Sequence, residues 1–245
     1  MSFGKILFFG LLTIVAGCST NSSIKRPPET NFLEAQKLYA KGKYEQAATE
    51  FKKVKENTAS PALSTAAVLL NADALFHDKS YIEAAGGYEE FQKLHPDNEK
   101  APYAMYMLGL CHFKQAEKID TDQTPLTNAI KTFESFLKEY PKSDLTEKVR
   151  DSMRMCRTKQ SEYEIYVGRF YFRTGKFPSA INRLKEALET YPTSPVNDEA
   201  LFYLGQAYLK TGDKEKGKET LQRLIKDFKA SKFAGETKKI LAKNA

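Results

Sequence analysis

The sequence predicts an all-α fold of stacked helix pairs, and three observations lead there. Similar stretches recur: AKGKYEQAATEFKKV at 40–54, HDKSYIEAAGGYEEF at 77–91, FRTGKFPSAINRLKEA at 172–187 and LKTGDKEKGKETLQRL at 209–224. They keep a fixed interval, since Tyr44 and Tyr81, Ala47 and Ala84, Gly175 and Gly212, and Tyr171 and Tyr208 are each 37 residues apart. Within each stretch small and apolar residues return at helical spacing, as Ala180, Leu184 and Ala187 do. A period in this range marks repeats that bury their cores only by stacking on one another.

The N-terminus is a separate matter. Lys5 is followed by an apolar run from Ile6 to Ala16, about half the length that a membrane-spanning helix needs. This fits the apolar core of a signal peptide. Val15-Ala16-Gly17-Cys18 then resembles the lipobox of bacterial lipoproteins. That resemblance implies cleavage of residues 1–17, acylation of Cys18 and retention on a membrane, where several acyl chains anchor stably. Ser19, rather than Asp, favours the outer membrane by the same resemblance. Residues 18–31, polar and with a proline pair, read as a lipidated flexible tether.

The repeats resemble the tetratricopeptide repeat, a helix–turn–helix of about 34 residues that stacks into a right-handed superhelix, an α-solenoid. About five helix pairs are expected. Repeats one to three form an N-terminal module, residues 32–142. Its third unit, YMLGLCHF (106–113) with TNAIKTFESFLKEYP (127–141), is interrupted by AEKIDTDQTPL. Repeats two, three and four end at His95-Pro96, Tyr140-Pro141 and Tyr191-Pro192; the fifth lacks the proline, as suits a terminal unit. In repeat four, Gly168 permits a close approach of its two helices. Gly175 supplies the turn, and Pro178 suits the first turn of the second helix. Between Ala129 and Ala180 the spacing stretches to 51 residues. Residues 143–174 contain no proline and one glycine, so a single long helix is expected there. It includes helix A of repeat four and joins the first module to the rest of the C-terminal module, residues 175–245.

The residues point away from catalysis. His77, His95 and His112 have no second histidine at metal-ligand spacing, and no phosphate-cradling, zinc-hydrolase or nucleophile-elbow motif is present. No catalytic residue, metal or cofactor is expected. Cys111 and Cys156 lie in helical patterns and read as small buried hydrophobes, with a bridge open to them if their Cα atoms come within about 7 Å. Gly86-Gly87 reads as a close helix contact. The net charge of +7 is dispersed among interleaved Lys and Glu, which suits solvated faces and not a nucleic-acid stripe.

What remains is surface. Four residues past the small position of each helix A stand Tyr39, Phe76, Phe113, Phe172 and Leu209; one residue past it stand Gln36, Asp73, Leu110, Arg169 and Gln206. A groove of rings with a few polar groups suits an extended or helical peptide. Such rings also fill cores. His77, Tyr106 and Lys114 join Gln36, Tyr39, Asp73, Phe76, Phe113, Arg169, Phe172 and Arg183 as candidate partner-binding residues.

FQKLHP (91–96), YAMYMLGL (103–110), FESFLKEYPKS (133–143), EYEIYVGRFY (162–171), AINR (180–183) and YPTSP (191–195) resemble the BamD family of outer-membrane lipoproteins from the β-barrel assembly machinery. The resemblance covers nearly the whole chain. It implies a scaffold that faces the periplasm, receives signals of unfolded outer-membrane proteins on its N-terminal repeats, and holds a BamA-like barrel subunit and other assembly lipoproteins. Arg183, in the stretch matching the family, would contact the barrel subunit; Glu186 is the acid within reach on its own helix. Other envelope repeat lipoproteins, serving Tol–Pal coordination, pilus assembly or cell-wall hydrolases, share the repeats without the lipobox and long helix together, or share only the repeats and the anchor.

Overall fold

The computed structural model describes residues 26–116 and 122–244. These form eleven helices: α1 Pro28–Ala40, α2 Tyr44–Asn57, α3 Pro61–His77, α4 Tyr81–Leu94, α5 Ala101–Gln115, α6 Thr124–Glu139, α7 Thr146–Arg173, α8 Phe177–Thr190, α9 Asn197–Lys210, α10 Lys214–Asp227 and α11 Ala234–Lys243. Consecutive helices pack on one another, giving five helix pairs and a final helix on α10. Cys18 and most of the tether lie outside the described residues, as does 117–121 of the repeat-three insertion.

One contact is repeated in every pair. Helix A offers a small residue and helix B fills the space above it at Gly109 with Phe133, Gly168 with Leu184 and Gly205 with Leu221; Ala35 with Phe51 and Ala72 with Tyr88 take the same register and share a buried cluster. None of the five bulky residues is more than 1% exposed. The fit leaves no room on helix A. A Cβ on Gly168 would stand 2.5 Å from Leu184 Cδ2, one on Gly205 2.6 Å from Leu221 Cγ, and one on Gly109 would collide with the Phe133 ring. Four residues before each bulky side chain, Ala47, Ala84, Ala129 and Ala180 are fully buried, and Gly217 takes that place in the fifth pair. Burying each Phe or Leu contributes about 1.5–3 kcal/mol.

The turns repeat as well. Between helices A and B the backbone enters the left-handed region at Gly42, Gly175 and Gly212, with φ of 71°, 75° and 89°. The second unit does the same at Lys79, φ 67°, where a side chain costs about 1–2 kcal/mol. Between units, His95, Tyr140, Tyr191 and Phe228 close their helices with closely similar φ and ψ. In each, the carbonyl accepts from the amide three residues on (Asn98, Ser143, Ser194 and Ser231). Phe228 adopts this geometry before Lys229, so proline favours the stop but the turn does not require it.

Four hydrophobic clusters run along the stack, and neighbouring clusters share helices. The 28-residue α7 serves two of them. Val149 and Cys156 lie in the cluster with α6, while Ile165 lies in the cluster with α8 and α9.

Several expectations change. The helical region begins at Pro28, inside the stretch read as a tether, because a proline suits the first helical turn. Asn31 is already buried there. Gly87 does sit against Ala72, where a Cβ would come within 2.8 Å, but Gly86 faces open space. Cys111 and Cys156 are both free and belong to different clusters; burial pushes each thiol up to about 12. Helix α11, which packs on α10, stands outside the five repeats counted in the sequence.

Two substitutions test this packing. Gly168→Val should destabilise the protein by at least about 1–3 kcal/mol, the cost of overpacking a filled site, read as a lower midpoint in urea unfolding followed by circular dichroism. Lys79→Gly should raise stability by about 0.5–1 kcal/mol, since relief of the strained φ outweighs the added chain entropy; an unchanged melting temperature would contradict that.

Candidate functional site: a ring-lined interaction face

The rings that end the A helices are held by rings that begin the B helices. Tyr39 meets Tyr44 edge-on at 5.3 Å, Phe76 meets Tyr81 at 5.4 Å, and Phe172 meets Phe177 at 5.6 Å between centroids. The residues of each pair are five apart across the A–B turn. His77, exposed, knits the first two units together: it stacks on Tyr44 at 5.0 Å and lies edge-on to Tyr39 at 5.6 Å and to Phe76 at 5.9 Å. Among the described residues Phe113 has no such ring partner; the Lys159 ammonium of α7 lies 5.4 Å from its centroid instead. That ammonium also donates to the Ala116 carbonyl at 2.9 Å. Phe172 touches the next unit through Tyr203 at 5.3 Å.

Tyr39, Phe76, Phe113 and Phe172 are all half-buried. Core packing and surface presentation therefore both apply to the same ring. One side is fixed by its own repeat, which removes rotational freedom, and part of the ring stays open to solvent. Gln36 and Lys114 beside them are exposed. Tyr106 is half-buried and packs toward Phe133, 6.3 Å between centroids, so it belongs mainly to the seam of the third unit.

Asp73 is the residue whose role changes most. Its register position matches Gln36, Arg169 and Gln206, yet it is only 8% exposed. Its Oδ1 accepts from Tyr88 Oη at 2.6 Å and from Tyr103 Oη at 2.9 Å. The carboxylate thus joins α3, α4 and α5 and is not available to a partner. The cause was out of reach of the local pattern: Tyr103 lies thirty residues along the chain. Burial raises the Asp73 carboxyl above its ordinary range, against the opposing effects of the two tyrosine donors and His77. Its own partial burial, and next the charge on Asp73, push the Tyr39 hydroxyl up to about 12.

In the C-terminal part, charged candidates are already engaged. Arg169 Nη1 pairs with Glu199 Oε1 of α9, and its guanidinium lies 5.7 Å from the Tyr166 centroid. Arg183 Nε lies 2.6 Å from Glu164 Oε2 of α7, nearer than its helix neighbour Glu186 at 3.6 Å. Glu164 was invisible in the local sequence because it comes from the preceding helix. Its carboxyl is raised by burial, with Arg183 acting in the opposite direction. Burial also lowers His112, which fits a packed ring. Among the described residues no cluster of three or more His, Cys, Asp or Glu could hold a metal ion, and no helix is long and apolar enough to cross a membrane.

Stacked helix pairs presenting half-open rings define a tetratricopeptide interaction scaffold. Comparison with known proteins makes the class specific: the outer membrane lipoprotein family YfiO matches residues 25–224, and the chain belongs to that family. An outer membrane protein assembly factor BamD from Caulobacter vibrioides is 26% identical over 236 residues, covering 94% of this chain and 77% of the relative. One from Rickettsia prowazekii is 27% identical over 231 residues, covering 93% and 91%. Among solved structures, the TPR2AB domain of yeast Sti1 in its pHSP90 complex has 15% identity and a TM-score of 0.43, covering 89% of this chain and 98% of that one.

The Asp73 site has a pH signature. A carboxyl raised in the folded state contributes its full stability below the unfolded value, near pH 4, and loses it as pH rises through the folded value. Wild type should therefore lose stability relative to Asp73→Asn as pH rises above about 4. Urea midpoints of the two proteins across that range check this, and a constant difference would contradict it.

Proposed function

We propose that this protein is a scaffold of the β-barrel assembly machinery, held at the outer membrane by acyl chains on Cys18 and facing the periplasm. Its rings receive peptides of unfolded outer-membrane proteins, and its C-terminal repeats hold a BamA-like barrel subunit together with other assembly lipoproteins. Family membership over residues 25–224 and the assembly-factor names of its relatives support the general role. The observation that carries the peptide-binding part is the half-open state of Tyr39, Phe76 and Phe113 at successive A-helix ends. Rings anchored on one side lose little freedom on binding, and aromatic anchors supply much of the energy of small interfaces.

Residues 32–142 act as the receiving module, with Gln36, His77 and Lys114 as polar neighbours of the rings. Residues 175–245 act as the docking module, joined through 143–174. Arg183 serves the barrel subunit from a half-buried position, where Glu164 holds its guanidinium in place before contact. Arg169 and Phe172 support that module through Glu199 and Tyr203 and contribute to its contact surface.

Phe76→Ala combined with Phe113→Ala should weaken binding of an aromatic-ended barrel-strand peptide at least tenfold, about 1.4 kcal/mol, while helicity by circular dichroism stays intact. Unchanged affinity would assign both rings to the core alone. Purification of the lipidated protein in mild detergent should bring down a BamA-like barrel; recovery of Tol, pilus or cell-wall hydrolase components instead would overturn the assembly role.

A further inference from the structure

The long helix carries the helix-A register twice. Val149, Ser152 and Cys156 of α7 are buried against α6, just as Ala104, Met107 and Cys111 of α5 are buried against α4. In that first register the side that should receive a helix B is formed by Arg150, Arg154 and Arg157. The equivalent positions are Val68, Ala72 and Leu75 in the second unit and Leu201, Gly205 and Tyr208 in the fifth. There they are covered by α4 and α10. On α7 the next helix, α8, packs on the second register around Gly168, fourteen residues further on. Among the described residues no helix B covers the first seat.

The result is a cleft of about 1040 Å³ between the first half of α7 and the Thr190–Pro195 connector, with Phe113 at one end. It lies at the upper limit of small-ligand clefts, about 300–1,000 Å³. Four cations line it, Arg150, Arg154, Arg157 and Lys159, against two acids, Asp151 and Glu162. Met153, Met155 and Phe113 add apolar surface. The three arginine side chains are more than half exposed and, among the described residues, pair with surface acids: Glu147 at 3.5 Å, Asp151, and Glu134 at 3.5 Å. Such pairs are worth about 0–1 kcal/mol and exchange readily.

We propose that this cleft is a second docking site, for an acidic polypeptide segment that carries an apolar side chain. Charge complementarity names the occupant. Where every complete unit seats an apolar helix, this seat offers a row of guanidinium groups, which favours carboxylates bound two-pronged. The rises between Arg150, Arg154 and Arg157 are about 6 Å and 4.5 Å along the helix, close enough for successive acids of one segment to reach them. The apolar side chain meets Phe113 and Met155. The site stands apart from the rings of the first two units and does not depend on them.

The test uses the full mature protein and a labelled peptide with Asp at alternate positions and a single Phe, followed by fluorescence anisotropy. Arg150→Gln, Arg154→Gln and Arg157→Gln together should weaken binding at least tenfold and flatten its salt dependence, with an unchanged melting temperature. An Asn-for-Asp version of the peptide should bind the wild type as weakly as the acidic peptide binds the triple variant. Phe76→Ala should leave acidic-peptide binding unchanged, which separates this site from the Tyr39 and Phe76 rings of the first two units. Equal binding by wild type and triple variant, equal binding of the Asn peptide, or binding to phosphatidylglycerol vesicles with none to the peptide would each overturn the proposal.

Discussion

The close approach of a small residue on each helix A to a bulky one on helix B is the constraint on which the rest depends. It brings the two axes together, and the short left-handed turn then has to follow. In units one, two and four the turn sets the last ring of helix A five residues from the first ring of helix B, and those rings pack edge to edge. The open face is therefore a by-product of the core geometry. The small seam positions recur along the stack, and four of the five helix-A ends carry a ring at the same register, Tyr39, Phe76, Phe113 and Phe172, with Leu209 in the fifth.

Much of this was legible in the sequence. Ala35, Ala72, Gly109, Gly168 and Gly205 identify the seam because close packing admits only small residues, and their spacing gives the repeat. Gly42, Gly175 and Gly212 identify the turns for the same conformational reason. The unreadable parts have a common cause. Lys79 takes a glycine's conformation against its own preference, imposed by the helices on either side. Phe228 stops its helix without proline because the double turn that follows supplies the hydrogen bonds. Asp73 and Arg183 are decided by Tyr103 and Glu164, which come from other helices, and no local pattern carries such information.

The site was legible by position more than by state. Counting from the seam located Tyr39, Phe76, Phe113 and Phe172 at one register, the ends of their A helices. It did not show that each ring is half enclosed, nor that Asp73, in the polar register beside them, is sealed in by two tyrosines. A half-enclosed ring is a compromise between two uses. It stabilises the repeat it belongs to and keeps an apolar edge for another chain. The long helix shows the opposite case: there the stacking register runs on without its helix B, and arginines take the place of the seam.

A chain bound at the half-open rings would protect this protein at defined places. Amide hydrogen exchange of the mature lipidated protein, with and without an aromatic-ended barrel-strand peptide, measures that helix by helix. Added protection is expected at the C-terminal turns of α1, α3 and α5, around Tyr39, Phe76 and Phe113, with α2, α4 and α6 little changed beyond their first turns. Protection confined to the outer B helices, or none at any A-helix end, would contradict the claim that the half-open rings form the binding face.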